Sequence, residues 1–366
     1  MKSKDIFAEL LGRVEQGIWK LGEKLPTERE LSQQFGVSRP TVSRVLDQLR
    51  DMGLIERIVG SGTYLTAPGS QKSGKQRTFG LFVPGLGRGE IFEPICTRIA
   101  ELSHEYDFSL IWGSIPSEFD ETTEERLYQT AQRFIEGGVD GVFLQPVERE
   151  PGLSNKNLRI ASMFERAGVP LVLLDSDYLA YPERSTHDLV GIDNVQAGLV
   201  LCNHFLENQP RRVDFLWRPN TAGTYALRLI GYREALQRAG IEPSRAFEHQ
   251  GKPHDVEFVA RMIKNGAHDI ICINDETAVT LISTLEGLGL KVPEEVRVAG
   301  FDDLKYARLA HVPLTTMHQP CREIGEVALS AMLSRVDNPE LPARNLTIAA
   351  ELRVRKSSSF GINLRA

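Results

Sequence analysis

The sequence predicts two unlike parts in one chain: a small α+β head of three helices and a hairpin, then a two-lobed α/β body built on parallel sheets. Three observations lead there. Residues 25–49, LPTERELSQQFGVSRPTVSRVLDQL, read as helix, tight turn, helix. From Phe79 onward, short apolar strands alternate with amphipathic helices, the pattern of parallel sheets covered on both faces. That alternation runs twice, as two similar lobes would.

The bulk numbers bound the partners. The 366 residues suffice for two or three domains. Hydrophobic content of 41% and charged content of 25% are those of a soluble globular protein. No apolar run approaches the roughly 18 residues of a membrane span. The start, MKSKDIFAELLGRVEQ, has scattered charges and no apolar core of a secretory signal, which predicts a cytoplasmic protein. Cys96, Cys202, Cys272 and Cys321 stand far apart with no CxxC spacing. They read as buried free thiols, and no metal site is predicted. A net charge of −6 alone argues against a nucleic-acid partner. The charge is uneven, however: residues 1–78 hold 13 Lys+Arg against 9 Asp+Glu, and the remainder holds 30 against 40. A basic head on an acidic body fits a DNA reader joined to a body with another task.

The head, residues 1–66, comes first. Ile6, Phe7, Leu10, Leu11, Val14 and Ile18 recur at helical spacing and predict a first helix. Thr27 with Glu30 three residues on is a capping box for a second helix, whose Leu31 and Phe35 face the core. Gly36 ends it. Ser38 can cap a third helix, with Pro40 in its first turn, where a missing N–H costs little. Val42, Val45, Leu46 and Leu49 form that helix's buried face, and Gly53 stops it. Leu54–Val59 and Thr63–Leu65 read as two strands around Gly60-Ser61-Gly62. Three helices and a short hairpin make a winged helix-turn-helix. A helical protein-interaction module is the plainer alternative, and charge placement decides against it. Ser38, Arg39, Thr41, Ser43 and Arg44 crowd the first turns of the third helix, off its apolar stripe. That end of a recognition helix enters the major groove. Arginines there offer paired donors to guanine edges or phosphates, and hydroxyls suit phosphate oxygens.

LPTERELS, then FGVSRPTV, then the L-x-x-L-x-x-x-G-L-I-x-x-x-x-G-S-G-T-Y-L run resemble the DNA-binding domain of the GntR family of bacterial transcription regulators. The resemblance covers about residues 3–66. It implies DNA contacts by Arg29 on the phosphate side, by Ser38, Arg39 and Thr41 on the recognition helix, and by Gly60, Ser61 and Gly62 in the wing. Many members place an arginine directly after the position that Val42 fills. Here Ser43 stands there and the arginine comes at Arg44, which shifts the expected role of Arg44 from a base to a phosphate.

Residues 67–77, APGSQKSGKQR, are polar and rich in Gly, Ser and Pro, and read as a flexible basic linker. The body follows at 78–356. Its predicted elements in the first lobe (78–190) are strands at 79–83, 108–112, 139–144 and 169–175, and helices at 94–105, 124–136 and 157–167. The second lobe (191–315) restarts with helices at 194–207, 226–239, 255–265 and 276–288 and strands at 212–217, 269–273 and 296–301. The C-terminal segment is expected to cross back. The last residues, 357–366, carry no leucine heptad and read as a frayed tail.

Ligands of open parallel sheets bind beyond the C-terminal strand ends. There stand Gly85–Glu90, Asp175-Ser176-Asp177, Arg218-Pro219-Asn220, Asn274-Asp275 and Asp302-Asp303. Any one such aspartate serves equally well as a helix cap. Together they suit a polyhydroxylated ligand between the lobes, since hydroxyls both donate and accept. Phe92, Trp217 or Tyr225 offers a stacking face. V-G-x-D-N-x-x-A-G at 190–198, LRLIGYREAL at 227–236, I-x-I-N-D-E-T-A at 271–278, VRVAGFDD at 296–303 and PLTTMHQP at 313–320 resemble the effector domain of lactose/galactose-repressor regulators, relatives of periplasmic sugar-binding proteins. That resemblance implies ligand contacts by Asp175, Arg228, Asn274, Asp302 and Gln319. It also puts residues 92–105 in part of a dimer face.

An enzyme is disfavoured. Gly85-Leu86-Gly87-Arg88-Gly89-Glu90 lacks the third glycine of a dinucleotide loop, and no Walker A, GxSxG or HExxH sequence occurs. No catalytic residue and no cofactor is predicted. The expected function is a sequence-specific repressor, homodimeric, released from double-stranded inverted-repeat operator DNA by a small neutral sugar. The alternatives are control by a purine, sugar phosphate or other non-sugar ligand, or action as an activator. Mixed carboxylates and arginines at the strand ends favour a neutral monosaccharide over an anion.

Overall fold

Thr27 and Glu30 cap the second helix reciprocally. The Thr27 N–H donates to Glu30 Oε2 at 2.7 Å, and the Glu30 N–H donates to Thr27 Oγ1 at 3.3 Å. In this computed structural model the described residues are 3–15, 18–19, 23–51, 54–58, 62–65, 76–83, 91–113, 123–147, 153–207, 212–219, 221 and 223–359. The chain divides into two compact units, Met1–Gln76 and Arg77–Ala366.

The first unit holds α1 (Ser3–Glu15), α2 (Glu28–Phe35), α3 (Arg39–Asp51), β1 (Ile55–Ile58) and β2 (Gly62–Leu65). Its core is the set read from periodicity: Ile6, Leu10, Leu31, Val42, Val45, Leu46 and Leu49 are all fully buried. Gly36 ends α2 at a φ of 64°, a conformation open to glycine at little steric cost. The two strands pair antiparallel, with Ile55 opposite Leu65 and Ile58 opposite Gly62. One expectation fails. Ile18 does not continue the buried stripe of α1 (Ser3–Glu15): it lies beyond the helix and is 56% exposed, and Trp19 is buried instead. Once the helix ends, the 3.6-residue phase no longer says which side chain turns inward. Gly60, Ser61 and most of the linker (67–75) lie outside the described residues.

The second unit contains β3 (Arg77–Phe82), α4 (Phe92–Glu101), β4 (Phe108–Trp112), α5 (Thr123–Glu136), β5 (Gly141–Leu144), α6 (Leu153–Arg166), β6 (Leu171–Leu174) and β7 (Asp188–Ile192). Then come α7 (Asn194–Leu206), β8 (Asp214–Trp217), α8 (Thr224–Arg238), β9 (Glu248–Gln250), α9 (Val256–Lys264), β10 (Asp269–Cys272), α10 (Asp275–Gly287), β11 (Arg297–Asp302), α11 (Lys305–Leu309), β12 (Thr315–His318), α12 (Cys321–Asp337), β13 (Asn345–Ile348) and β14 (Glu351–Arg353). Six strands form each sheet, in the orders β13-β7-β6-β5-β3-β4 and β14-β12-β11-β10-β8-β9. Every pairing is parallel except that of β12 with β14. Central strands such as Gly141–Leu144 and Leu171–Leu174 are buried throughout, as helices on both faces require.

The chain passes between the lobes three times: at Asp193, at Gln319-Pro320 and at Ala349-Ala350. β7 places the end of the first lobe at Ile192 rather than 190, and β12 carries the second lobe to His318 rather than 315. The returning segment is fixed by a buried ion cluster. Arg335 of α12 and Arg344 both reach Asp188, at 3.0 and 2.9 Å. Burial works to raise the Asp188 carboxyl, but hydrogen bonds from Arg344 and Arg335 outweigh it and hold the group below the usual carboxylate range. The tail is corrected too: residues 357 and 358 are not frayed. Both serines are buried; Ser357 Oγ donates to Val298 O at 2.6 Å, and Ser358 Oγ to Thr315 Oγ1 at 2.6 Å. A serine run reads as solvated from composition, yet these hydroxyls satisfy backbone and side-chain groups at the second sheet. Residues 360–366 lie outside the described set.

Candidate functional site

The first candidate site is the start of α3 in the head. Its entry is ordered by a hydroxyl pair, Ser38 Oγ and Thr41 Oγ1, 2.8 Å apart. Arg29, Arg39 and Arg44 are exposed, and among the described residues no ion pair or side-chain hydrogen bond engages any of them. Thr41 and Ser43 are half-buried beside them. Arg44 lies five positions after Arg39, about 140° further round the helix, so the two guanidiniums leave α3 in different directions. Gly62 opens β2 at a φ of 134°, and a Cβ there would come within 2.4 Å of Lys24 Cε.

The second is a cleft of about 850 Å³ in the body. Asp175, Arg228, Asn274, Asp302 and Gln319 all line it. Asp175 follows β6, Asn274 follows β10, Asp302 ends β11 and Gln319 follows β12, so four of the five come from C-terminal strand ends.

Arg228, in α8, is buried and held from three sides. Its Nε donates to Asn194 Oδ1 at 2.8 Å and its Nη1 to Ile273 O at 2.5 Å, while its plane lies 4.4 Å from the Phe301 ring centroid. Its Nη2 stands 3.8 Å from Asp302 Oδ1. Asp302 Oδ1 also accepts from Gln319 Nε2 at 2.7 Å. Gln319 Oε1 and Asp175 Oδ1 are buried with no hydrogen-bond partner among the described residues. Burial pushes the Asp175 carboxyl upward, against the pull of Arg228. Asn274 Oδ1 caps α10, accepting from the Thr277 N–H at 2.9 Å and Thr277 Oγ1 at 2.7 Å, so its oxygen is committed to the helix start.

Other strand-end residues have different tasks. Asp177 organises its own loop, accepting from Ser185 and the Leu179 N–H. Asp275 is buried beneath the cleft and accepts from Thr316 Oγ1 at 2.6 Å and the Leu304 N–H at 2.9 Å. Burial, then the neighbouring Asp302, raise its carboxyl well above the usual range. Arg218 lines the cleft and pairs with Glu276 at 2.9 Å. Of the three aromatics considered, Phe92 lines the cleft; Trp217 and Tyr225 stack on each other at 5.8 Å and are not among its lining residues. Gly85–Glu90 and Asn220 lie outside the described residues.

Sequence reading passed over Asn194, whose carbonyl orients Arg228, and the outer lining residues Lys252, His254 and Thr280. It quoted Gly198 and Gly231 in motifs without a task for them. A Cβ on Gly198 would lie 2.1 Å from Arg228 O, and one on Gly231 would lie 1.9 Å from Val195 O. These glycines let α7 and α8 touch backbone to backbone, and that contact sets the depth at which Arg228 sits.

Among the described residues no group of His, Cys, Asp and Glu could hold a metal ion, and no helix is long and apolar enough to cross a membrane. What the cleft presents is a set of hydrogen-bond donors and acceptors, of which Arg228, Asn274, Asp302 and Gln319 are fixed by second partners. Residues 2–65 match the model of the gntR family of bacterial regulatory proteins, and residues 202–358 match that of the periplasmic binding protein-like domain. The arabinose metabolism transcriptional repressor of Geobacillus stearothermophilus is 27% identical, over 93% of this chain and 95% of its own. The HTH-type transcriptional repressor PurR of Photobacterium profundum is 26% identical, over 91% and 98%. Among solved structures, the transcriptional regulator CelR–cellobiose complex aligns with a TM-score of 0.65 at 23% identity, over 91% of this chain and all of that one.

Proposed function

We propose that this chain, which joins a GntR-type DNA-binding domain to a periplasmic-binding-protein-like effector domain, is a cytoplasmic repressor that a small neutral sugar releases from an inverted-repeat operator. One observation carries the sugar reading: Asp175, Arg228, Asn274, Asp302 and Gln319 meet in a single cleft with acceptors and donors interleaved. A ring bearing several hydroxyls can satisfy both kinds at once. The relatives similar over nearly the whole chain are transcriptional regulators, not enzymes, and one of them is named for arabinose metabolism.

Operator binding is assigned to Arg29, Ser38, Arg39, Thr41, Ser43, Arg44 and the wing residues Gly60, Ser61 and Gly62. One winged helix reads few base pairs, so two heads on a homodimer gain affinity through effective concentration. The dimer face is assigned to α4 and the neighbouring edge strand β4, where Ile111 and Trp112 are 38% and 55% exposed. The test is thermal unfolding against pentoses, hexoses, uronic acids, sugar phosphates and purines. A ligand at about 100 times its dissociation constant adds roughly 2.7 kcal/mol. A shift with one neutral sugar supports the reading; silence from every sugar overturns it.

A second reading has its own support. Lys252 and His254 line the outer cleft beside Arg218, and both are exposed with no ion pair among the described residues. A sugar phosphate, or a purine carrying an anionic group, would meet them. A shift confined to the phosphates or purines selects this reading.

A further inference from the structure

We propose that Arg355 is a positioning residue of the effector cleft, holding the two-aspartate turn that presents Asp302. The assignment rests on the sugar-cleft reading above and deepens it.

The turn is conformationally unusual. Asp302 has a φ of 114° and Asp303 a φ of 59°, both in the region that L residues seldom adopt. Two such residues in succession persist only where surrounding contacts over-determine them. On the cleft side, Asp302 Oδ1 meets Gln319 Nε2 and faces Arg228. On the opposite side, the Asp303 carboxylate is almost wholly buried, and Arg355 Nη2 donates to its Oδ1 at 2.6 Å. Two other groups approach Asp303 Oδ2. His318 Nδ1 lies 3.1 Å away without hydrogen-bond alignment, and Arg308 Nη2 lies 3.4 Å away. The Asp303 N–H donates to Thr316 Oγ1 at 3.3 Å, a long contact. Arg355 therefore supplies the short, aligned bond.

Arg355 is itself fixed. Its N–H donates to Thr315 Oγ1 at 2.8 Å, its carbonyl accepts from the same hydroxyl at 3.0 Å, and its Nη1 donates to Leu314 O at 2.8 Å. Ser357 and Ser358 fasten the residues just beyond it to Val298 and Thr315. The clamp is thus anchored on the second sheet, and it reaches the turn from behind without lining the cleft.

The experiment uses the full chain with Arg355→Met, Asp303→Asn and the double variant. Deuterium exchange of the sugar-free protein is read at residues 301–306 and 355–359. The positioning role predicts faster exchange at 301–306 in both single variants, with the double variant no faster than the singles. L-arabinose is the binding probe, by calorimetry. Where the wild type binds it, each single variant weakens binding at least about tenfold and the double adds little, as expected for partners in one interaction. Arg355→Lys, which keeps a cation, restores part of both. Faster exchange confined to 355–359, with 301–306 and sugar affinity unchanged, overturns the proposal and leaves Arg355 a mere fastening of the chain end. A wild type that ignores L-arabinose counts against that sugar alone, because the exchange pattern still decides the clamp. If Arg355→Met does not fold, Asp303→Asn reads the same turn from its other end.

Discussion

Arg228 Nη2 and Asp302 Oδ1 face each other at 3.8 Å across the floor of the cleft, closer than a solvated pair would rest and longer than a hydrogen bond. The other two nitrogens of Arg228 donate to Asn194 and Ile273, and among the described residues Nη2 makes no hydrogen bond. Arg228→Ala is expected to weaken sugar binding by about 2 kcal/mol or more, the cost of truncating a buried hydrogen-bonded charge. Operator binding without sugar should persist. Calorimetry and a DNA titration on the same preparation check this; a folded variant that loses both functions contradicts the division of labour.

Arg39→Ala should weaken discrimination between operator and unrelated DNA and relax specificity at the base pair it contacts, since its exposed guanidinium has no competing partner among the described residues. A lost base contact costs about 1–3 kcal/mol at the affected base pair. Arg29→Ala should weaken binding evenly across sequences and lower the salt slope by roughly one. Titrations at two salt concentrations separate these outcomes.

Asp188→Asn leaves Arg335 and Arg344 without their shared carboxylate and should destabilise the fold by about 3–5 kcal/mol. The folded carboxyl titrates below its unfolded value. Its contribution is therefore full above the ordinary carboxylate range, declines as pH falls through that range, and is gone below the folded value. Urea midpoints measured from neutral to acid pH should show this limb in the wild type and not in the variant. Equal acid limbs in the two would remove Asp188 as its source.

Gly198→Ala places a methyl against the Arg228 carbonyl, with no flexible side chain to give way. A cost of about 1–3 kcal/mol is expected, as for overpacked sites, together with weaker sugar binding because α8 must move. Gly287→Ala, where a Cβ meets nothing within 4 Å, is the control. Unchanged midpoint and affinity in Gly198→Ala would falsify the close-contact account.

Much of this was legible before any coordinates. The core of α3 follows from 3.6-residue periodicity; Asp175, Asn274 and Asp302 follow from strand ends, and Arg228 and Gln319 from the effector-domain resemblance alone. Local pattern carries such features because each depends on neighbours within one helical turn or one strand. What escaped depends on distant partners. Asn194 meets Arg228 across 34 positions, and Asp303 meets Arg355 across 52. Asn345–Ile348 and Glu351–Arg353 escaped for another reason. They are edge strands with alternating exposure, and their polar residues look like loop. Ile18 misled because an apolar residue just past a helix end still fits the helix's phase.

The triple passage between the lobes has a mechanical meaning. A body tied to its neighbour by one thread can swivel freely; one tied by three side by side can only swing, as a door does on its pins. Gln319 sits on one of those pins and touches the cleft at the same time. The direction of any swing is thus written into the path of the backbone, and side chains in the cleft govern only how often the door stands shut. Substitutions there should alter how much effector is needed, while the end point reached at saturation stays the same.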